Sequence, residues 1–104
     1  MGTLSVTVSA APERSRYEIF VDGKPAGFAA YQASPGEITF THTEIDPEFG
    51  GQGLGGQLIR YALDDVRRQG LAVLPRCPFV RGFIAKHDEY LDLVPAGKHT
   101  EFEL

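Results

Sequence analysis

The sequence predicts an α/β (α+β) chain built on one mixed sheet, with an antiparallel four-strand meander, a parallel fifth strand and helices on the faces. Three observations predict it. Segments that read as strands recur four times before Ile45, most of them with apolar and polar residues alternating. Five glycines between Gly50 and Gly56 then lead into an amphipathic helix. A short, continuous apolar run, Leu71 to Leu74, follows that helix directly.

In chain order, Leu4, Val6 and Val8 alternate with Ser5, Thr7 and Ser9, the pattern of a half-buried strand. Ala11 to Ser15 is a polar connection. Tyr17, Ile19 and Val21 then alternate up to Asp22-Gly23, a hairpin signal, and the first two strands are expected to pair antiparallel. A third strand runs from about Ala26 to Ala33 and stops at Ser34-Pro35-Gly36. A fourth, rich in Thr and Ile, runs from Glu37 to Ile45. Strict alternation would put Ile38, Phe40, His42 and Glu44 on one face of it and Thr39, Thr41, Thr43 and Ile45 on the other. Asp46-Pro47-Glu48 ends the strand.

Leu58, Ile59, Ala62, Leu63 and Val66 recur at helical spacing, and Leu54 carries the stripe back by one turn. Asp64 and Arg68 form a favourable pair four residues apart, and Gly70 is a fitting stop. Leu71 to Leu74 reads as a strand buried on both faces and parallel to the fourth. Pro75-Arg76-Cys77-Pro78 breaks it, with Pro78 at the first position of a second helix that carries Phe79, Val80, Phe83, Ile84 and His87. Phe79 and Phe83 are assigned to the core. Gly82 costs that helix roughly 1 kcal/mol against Ala, so it is expected to mark a close packing contact. Asp88 to Val94 is a short continuation, and from about Pro95 the chain is expected to be a loose tail.

The 104 residues, 42% hydrophobic, suffice for one core and are read as a single domain, 1–104. A net charge of −4 and a pI near 5.2 argue against a general nucleic-acid or anionic-membrane binder. One cysteine permits no intrachain disulfide, which fits a reducing compartment. Three scattered histidines and that cysteine show no metal-ligand spacing. With no basic-then-apolar start and no stretch of about 18 apolar residues, a soluble, cytoplasmic protein is expected.

The glycine run is where a ligand is expected. Without β-carbons the backbone can take positive φ, and the first amides of the following helix point outward, so an anion is favoured there. Gly51-Gln52-Gly53-Leu54-Gly55-Gly56 fits the dinucleotide pattern G-x-G-x-x-G, but the acidic residue expected about 20 positions on is absent, and Asp46-Pro47-Glu48-Phe49 separates strand from glycines. A nucleoside-triphosphatase loop fails because no Lys followed by Ser or Thr closes the run.

The order of elements and the run Gly51-Gln52-Gly53-Leu54-Gly55 resemble the acyl-CoA signature Q/R-x-x-G-x-G/A of the GNAT acetyltransferase superfamily. His42-Thr43-Glu44-Ile45, Pro47-Glu48, Leu74-Pro75-Arg76-Cys77-Pro78-Phe79 and His87-Asp88-Glu89-Tyr90 sharpen this to its small subfamily of about one hundred residues. The resemblance covers about Tyr17 to Val94. It implies acetyl-CoA as donor and a primary amine, small molecule or protein lysine, as acceptor. It also implies a pyrophosphate held by the amides of Gly51, Gln52, Gly53, Leu54, Gly55 and Gly56, and a pantetheine arm pairing like an added strand near Glu44 and Ile45. Gly50 stands where the signature has Gln or Arg, which removes side-chain help but leaves the amides in place. Larger relatives have helices between their first two strands, and Ala11 to Ser15 leaves no room for them.

Four residues are candidates for the chemistry. Cys77, at the start of the second helix, is either a nucleophile activated by unpaired amides, as the resemblance suggests, or a small buried apolar residue. His42 and Glu44 are either bases for the amine or, respectively, a core histidine and a solvated rim charge. Tyr90 is either the acid for the departing thiolate, as the resemblance implies, or a ring that caps the core. Arg60, Arg67 and Arg68 read most simply as a solvated helix face, with contact to a 3′-phosphate as the alternative. A non-catalytic acyl-CoA-binding module remains the alternative to an enzyme, and an exposed sheet edge leaves both monomer and homodimer open.

Overall fold

The computed structural model describes residues 5–104. Strands β1 (Val6–Ala11), β2 (Arg16–Val21), β3 (Lys24–Ser34) and β4 (Glu37–Ile45) form an antiparallel meander. Helix α1 (Leu54–Arg68) then crosses to β5 (Ala72–Pro75), which pairs parallel with β4, and α2 (Pro78–Lys86) follows. The predicted mixed sheet is therefore present, in the order β1-β2-β3-β4-β5. Leu4, assigned to the first strand, lies outside the described residues. Asp22 and Gly23 both take positive φ (50° and 81°), as a two-residue hairpin turn between right-twisted strands requires.

The apolar stripe of α1 is its buried face: Leu54, Leu58, Ile59, Ala62, Leu63 and Val66 lie in the core with Tyr17, Ile19, Ala29 and Phe40 of the sheet and Val80 and Ile84 of α2. Tyr17 fixes α1 to the sheet, donating its hydroxyl proton to Asp65 Oδ2 at 2.7 Å. Asp65 also accepts from Arg68 Nη2 at 3.2 Å, so Arg68 pairs three residues back rather than with Asp64. Asp64 instead accepts from the Tyr90 hydroxyl.

One irregularity sets the geometry of β4. Tyr31 stands opposite Phe40 and Ala30 opposite His42, so Thr41 is an extra residue in the ladder. Cross-strand partners share a face, which sorts the side chains. Phe40 lies with Tyr31, and Thr43 with Ala29 and Tyr17, on the face covered by α1. His42 and Glu44 lie with Ala30, Phe28, Arg16 and Glu18 on the opposite face. The single face expected for Ile38, Phe40, His42 and Glu44 is therefore divided at Thr41, because one extra residue inverts the alternation beyond it.

Three packing expectations also change. The chain beyond Pro95 is not loose. It turns through Ala96–Lys98, buries Phe102 and ties Glu103 to Arg81 (2.7 Å) and Glu101 to Arg76 (3.4 Å). Phe79 is 45% exposed instead of in the core, while Phe83 is partly buried. Gly82 marks no close contact, since a Cβ there would meet nothing within 4 Å. The glycine that does is Gly27, whose added Cβ would overlap the Glu44 carbonyl oxygen and come within 2.7 Å of Ile45 Cδ1.

Gly27→Ala is expected to cost about 1–3 kcal/mol by forcing β3 from β4, read as a lower urea midpoint with an unchanged slope. The Tyr17 phenol gives a pH test. Burial first, then the Asp65 carboxylate, holds its pKa far above the ordinary value. Because the folded-state value is the raised one, its contribution is complete below the unfolded value near 10 and falls away as pH climbs above it. Tyr17→Phe is expected to unfold at lower temperature at pH 7, by the roughly 1.5–3 kcal/mol of a hydrogen bond to a charged group. Its thermal midpoint should then decline less between about pH 9 and 11 than that of the parent.

Candidate active site

The glycine run forms the turn into α1. Pro47–Phe49 is a single tight turn capped by Asp46, whose carboxylate accepts from the Glu48 amide at 2.9 Å. Gly51 and Gly53 then take left-handed φ values of 80° and 73°, which residues with a β-carbon adopt only under strain. Gly53 is the N-cap and supplies no side-chain oxygen. The opening amides of α1, at Leu54, Gly55 and Gly56, therefore lack the usual cap and lie at the positive end of a fifteen-residue helix. Gly55 has a second reason to be glycine, since a Cβ there would meet Phe79 Cζ at 2.5 Å.

This turn opens into a cavity of about 520 Å³ between the two helices. Its α1 wall is Gly53, Gly56, Gln57 and Arg60; its other wall is Phe79, Gly82, Phe83, Lys86 and His87. Sequence reasoning assigned Gly53 and Gly56 to a ligand but missed Lys86 and Phe79, and it read Arg60 first as part of a solvated face, with a 3′-phosphate contact as the alternative. The visible signal was the spacing of Arg60 from Gly56, one helical turn along the same side of α1.

Just before α2, the helix that forms the cavity's other wall, the sheet parts. The β4–β5 ladder runs from Glu37 opposite Ala72 to Phe40 opposite Pro75 and goes no further, so Thr41 to Ile45 have no partner on β5. The Cys77 amide makes the last link, donating to the Phe40 carbonyl at 2.9 Å. Cys77 is the N-cap of α2, as the Pro78 signal predicts, and is 3% exposed. Its Sγ lies 3.2 Å from Thr43 Oγ1, a partner that sequence reasoning did not select because it placed Thr43 on the wrong face. On the opposite face, His42 Nε2 and Glu44 Oε2 are 2.8 Å apart, with their side chains 58% and 63% exposed. His42 also packs its ring 5.9 Å from that of Phe28. The structure thus gathers Cys77, His42, Glu44 and Ile45 around the unpaired part of β4, with Cys77 on the helix side and the His42–Glu44 pair on the other. His42 is no core residue.

Tyr90 has other company. In the turn Asp88–Leu93 its hydroxyl donates to Asp64 Oδ1 at 2.7 Å and accepts from Arg60 Nη1 at 3.2 Å, and its ring lies 5.9 Å from that of Phe83. Burial and the Asp64 carboxylate raise its pKa, burial being the larger cause. Arg67 reinforces the same join, reaching both carboxylate oxygens of Asp92 at 2.9 and 3.0 Å and the Glu89 carbonyl at 2.5 Å. Of the helix-face arginines, Arg60 and Arg67 are therefore engaged in fixing the Asp88–Leu93 turn to α1.

Comparison with known proteins agrees with this architecture. The chain is 33% identical over 58 residues to the [ribosomal protein bS18]-alanine N-acetyltransferases of Escherichia coli K12 and Shigella flexneri; the match covers 56% of this chain and 39% of theirs. The chain thus spans well under half the length of those relatives. The crystal structure of the E. coli ribosomal-protein-S18-alanine N-acetyltransferase superposes with a TM-score of 0.56 at 19% identity, over 68% of this chain and 64% of that one. The solution structure of a GCN5-like putative N-acetyltransferase from Staphylococcus aureus superposes with a TM-score of 0.66 at 23% identity, over 85% and 86%. At those identities the two structures speak for the fold. The family model for GCN5-related N-acetyltransferases matches residues 16–93, three quarters of the sequence, and on that span the chain belongs to the GCN5-related N-acetyltransferase family.

Proposed function

We propose that this chain transfers an acetyl group from acetyl-CoA to a primary amine. The observation that carries the reading is the uncapped, doubly left-handed glycine turn opening into a cavity between the helices, in a fold whose β4 is left unpaired beyond Phe40. The residues fit the donor. Amides of Gly51 to Gly56 suit the pyrophosphate without needing a side chain at Gly50, and the unpaired backbone near Glu44 and Ile45 suits the amides of a pantetheine arm. Acetyl-CoA supplies an activated acyl group as its thioester. His42, oriented by Glu44, takes the proton that keeps an ammonium from attacking, and it does so from the open face of the sheet. A family member acting on an alanine of a ribosomal protein makes peptide α-amines, beside lysine side chains and small amines, part of the acceptor panel.

In the covalent variant Cys77 Sγ takes the acetyl group first, the CoA sulfur leaving with the thiol proton. The amine then displaces the cysteine, which recovers a proton from the amine. Support is its position at the end of β5 with Thr43 Oγ1 3.2 Å away to hold the sulfur. Its burial favours the direct route, in which Cys77 only packs. Tyr90 serves as a lock between its turn and α1, since its proton is already committed to Asp64.

Calorimetry is expected to show saturable binding of acetyl-CoA and of desulfo-CoA, and no binding of either at millimolar concentration overturns the proposal. With acetyl-CoA bound but no member of the amine panel acetylated above the uncatalysed rate, the chain is a CoA-binding module. A mass gain of one acetyl group that disappears in Cys77→Ala, together with lost turnover, establishes the covalent route; full turnover in that variant establishes the direct one. Tyr90→Phe is expected to lower stability by roughly 1–3 kcal/mol while leaving kcat within about twofold, whereas an acid in catalysis would cost about a hundredfold or more.

A further inference from the structure

The face of the sheet away from α1 carries a second cavity, of about 330 Å³. Strand pairing arranges its surroundings in rows across β2, β3 and β4: Arg16, Ala30 and His42 form one, and Glu18, Phe28 and Glu44 the next. The cavity is lined by Arg14, Arg16 and Glu18 toward β2 and by Glu44 and Asp46 toward β4, with Phe28 between them. Its two sides differ in charge. Arg14 and Arg16 share a single carboxylate, because Arg14 Nη1 at 3.1 Å and Arg16 Nε and Nη2 at 2.8 and 2.7 Å all end on Glu18 Oε2. One positive charge is left over there, and Nη1 of Arg16 and Nε and Nη2 of Arg14 make no hydrogen bond among the described residues. Toward β4 the balance is negative. Glu44 and Asp46 make no ion pair with a lysine or arginine among the described residues; Glu44 holds His42 Nε2 at 2.8 Å, and Asp46 caps its own turn through the Glu48 amide.

A cavity with spare positive charge on one side and negative charge on the other is complementary to a molecule that carries both. The negative side is the one beside His42, so an ammonium group belongs there and an anionic group at the arginines. We propose that the acceptor is a small zwitterion, a free amino acid, with its amine at the His42–Glu44 pair and its carboxylate read by Arg16 and Arg14. The spacing sets its size. Strands β2 and β4 lie two strand spacings apart, about 10 Å, and a hydrogen bond at each side takes about 3 Å of that. The Arg16 guanidinium leans inward, 4.7 Å from the centroid of the Phe28 ring, and the His42 ring is 5.9 Å from the same centroid. Only a few carbons therefore fit between amine and carboxylate, with Phe20 and Phe28 as apolar lining. A single spare positive charge matches a carboxylate better than a doubly charged phosphate, and a protein lysine or a polyamine would bring the arginines no anion at all. This rests on the reading of the chain as an acetyltransferase and names its acceptor. The reaction is unchanged: the free amine nitrogen bonds to the acetyl carbon as the thioester C–S bond breaks, and the proton that nitrogen gives up to His42 balances the one that the CoA sulfur gains.

The test is steady-state acetylation, from acetyl-CoA, of glycine, alanine, β-alanine and 4-aminobutyrate against the amides of the same four, with a lysine-containing peptide alongside. The amides keep the amine and lose the anionic group. Without that negative charge their amines are, if anything, more readily deprotonated, so an acid that outperforms its amide does so by recognition. At least one acid is expected to exceed its amide in kcat/KM by about tenfold or more, the worth of one charge-assisted contact. Arg16→Gln should remove most of that advantage by raising KM for the acid, with kinetics on the amide unchanged, and Arg14→Gln should remove part of it. Because the Arg14 side chain is 62% exposed, Arg14→Gln decides the matter if Arg16→Gln fails to fold. Amides or the peptide used as well as the acids, or better, overturn the inference and leave amine acetylation standing. A preference for acids that is undiminished in Arg14→Gln, and in Arg16→Gln where it folds, overturns it as well. Acetyl-CoA binding with no amine acetylated removes the reading of the chain as an acetyltransferase and this inference with it.

Discussion

The bond from the Cys77 amide to the Phe40 carbonyl is the last that holds the β5 segment to β4, and the site depends on where it falls. Up to that point two parallel strands pair; beyond it Thr41 to Ile45 continue along β3 alone. Pro75 and Pro78 explain the stop, since neither can donate to a ladder and together they turn the chain into α2. The Thr41 bulge falls at the same level. Bulges sharpen local twist and bend the strand that carries them, so the strand that loses its partner is also the one that turns. A half-paired strand in the middle of a sheet ordinarily invites pairing with another chain. Here the start of α2 adjoins it on one face, through Cys77 and Thr43, and the exposed His42–Glu44 pair lies on the other, which restricts what could pair with it.

Two features hold the edges of the gap in place. Gly27 lets β3 approach the Glu44 carbonyl more closely than any side chain would allow, so the free part of β4 is held firmly from its other side. Tyr17 and Tyr90, both buried, join α1 to the sheet and to the Asp88–Leu93 turn through Asp65 and Asp64, adjacent residues on one helix. The helix whose first turn borders the cavity is therefore pinned near its C-terminal half, while that first turn has no side-chain cap. The C-terminal segment adds a third restraint, because Phe102 is buried and Arg81 of α2 is tied to Glu103.

Most of this fold was legible because its signals were periodic or stereochemical. The α1 stripe, the Asp22-Gly23 hairpin, the span of β4 and Pro78 at a helix start all appear where predicted. The bulge was not legible, for a physical reason: beyond Phe40 the residues Thr41, His42, Thr43 and Glu44 are all polar, so no apolar rhythm exists for an extra residue to break. That one slip moved His42 and Glu44 to the open face and hid the Thr43–Cys77 contact. Phe79 misled in a different way. Its spacing is that of a core residue, but whether a helix face is sealed depends on what lies across from it, and Gly55 lies there. Phe102 is a lone aromatic in a polar stretch, which carries no periodicity at all.

The glycines themselves divide into two kinds, and the division bears on how the donor is held. Gly51 and Gly53 are required by their left-handed backbone, whereas Gly50 is extended, with φ −64° and ψ 152°. A Cβ at Gly50 would meet only the Pro47 carbonyl oxygen, at 3.3 Å, so a small shift would admit the Gln or Arg of the family signature. Its absence is thus not a demand of the turn. Charge that the signature places in the loop is found here on the helices, at Arg60 and Lys86, farther along the same cavity. A guanidinium at the loop would strengthen contact with the pyrophosphate, which every CoA-like thioester presents. Cations at the far end strengthen contact only with ligands that carry charge there.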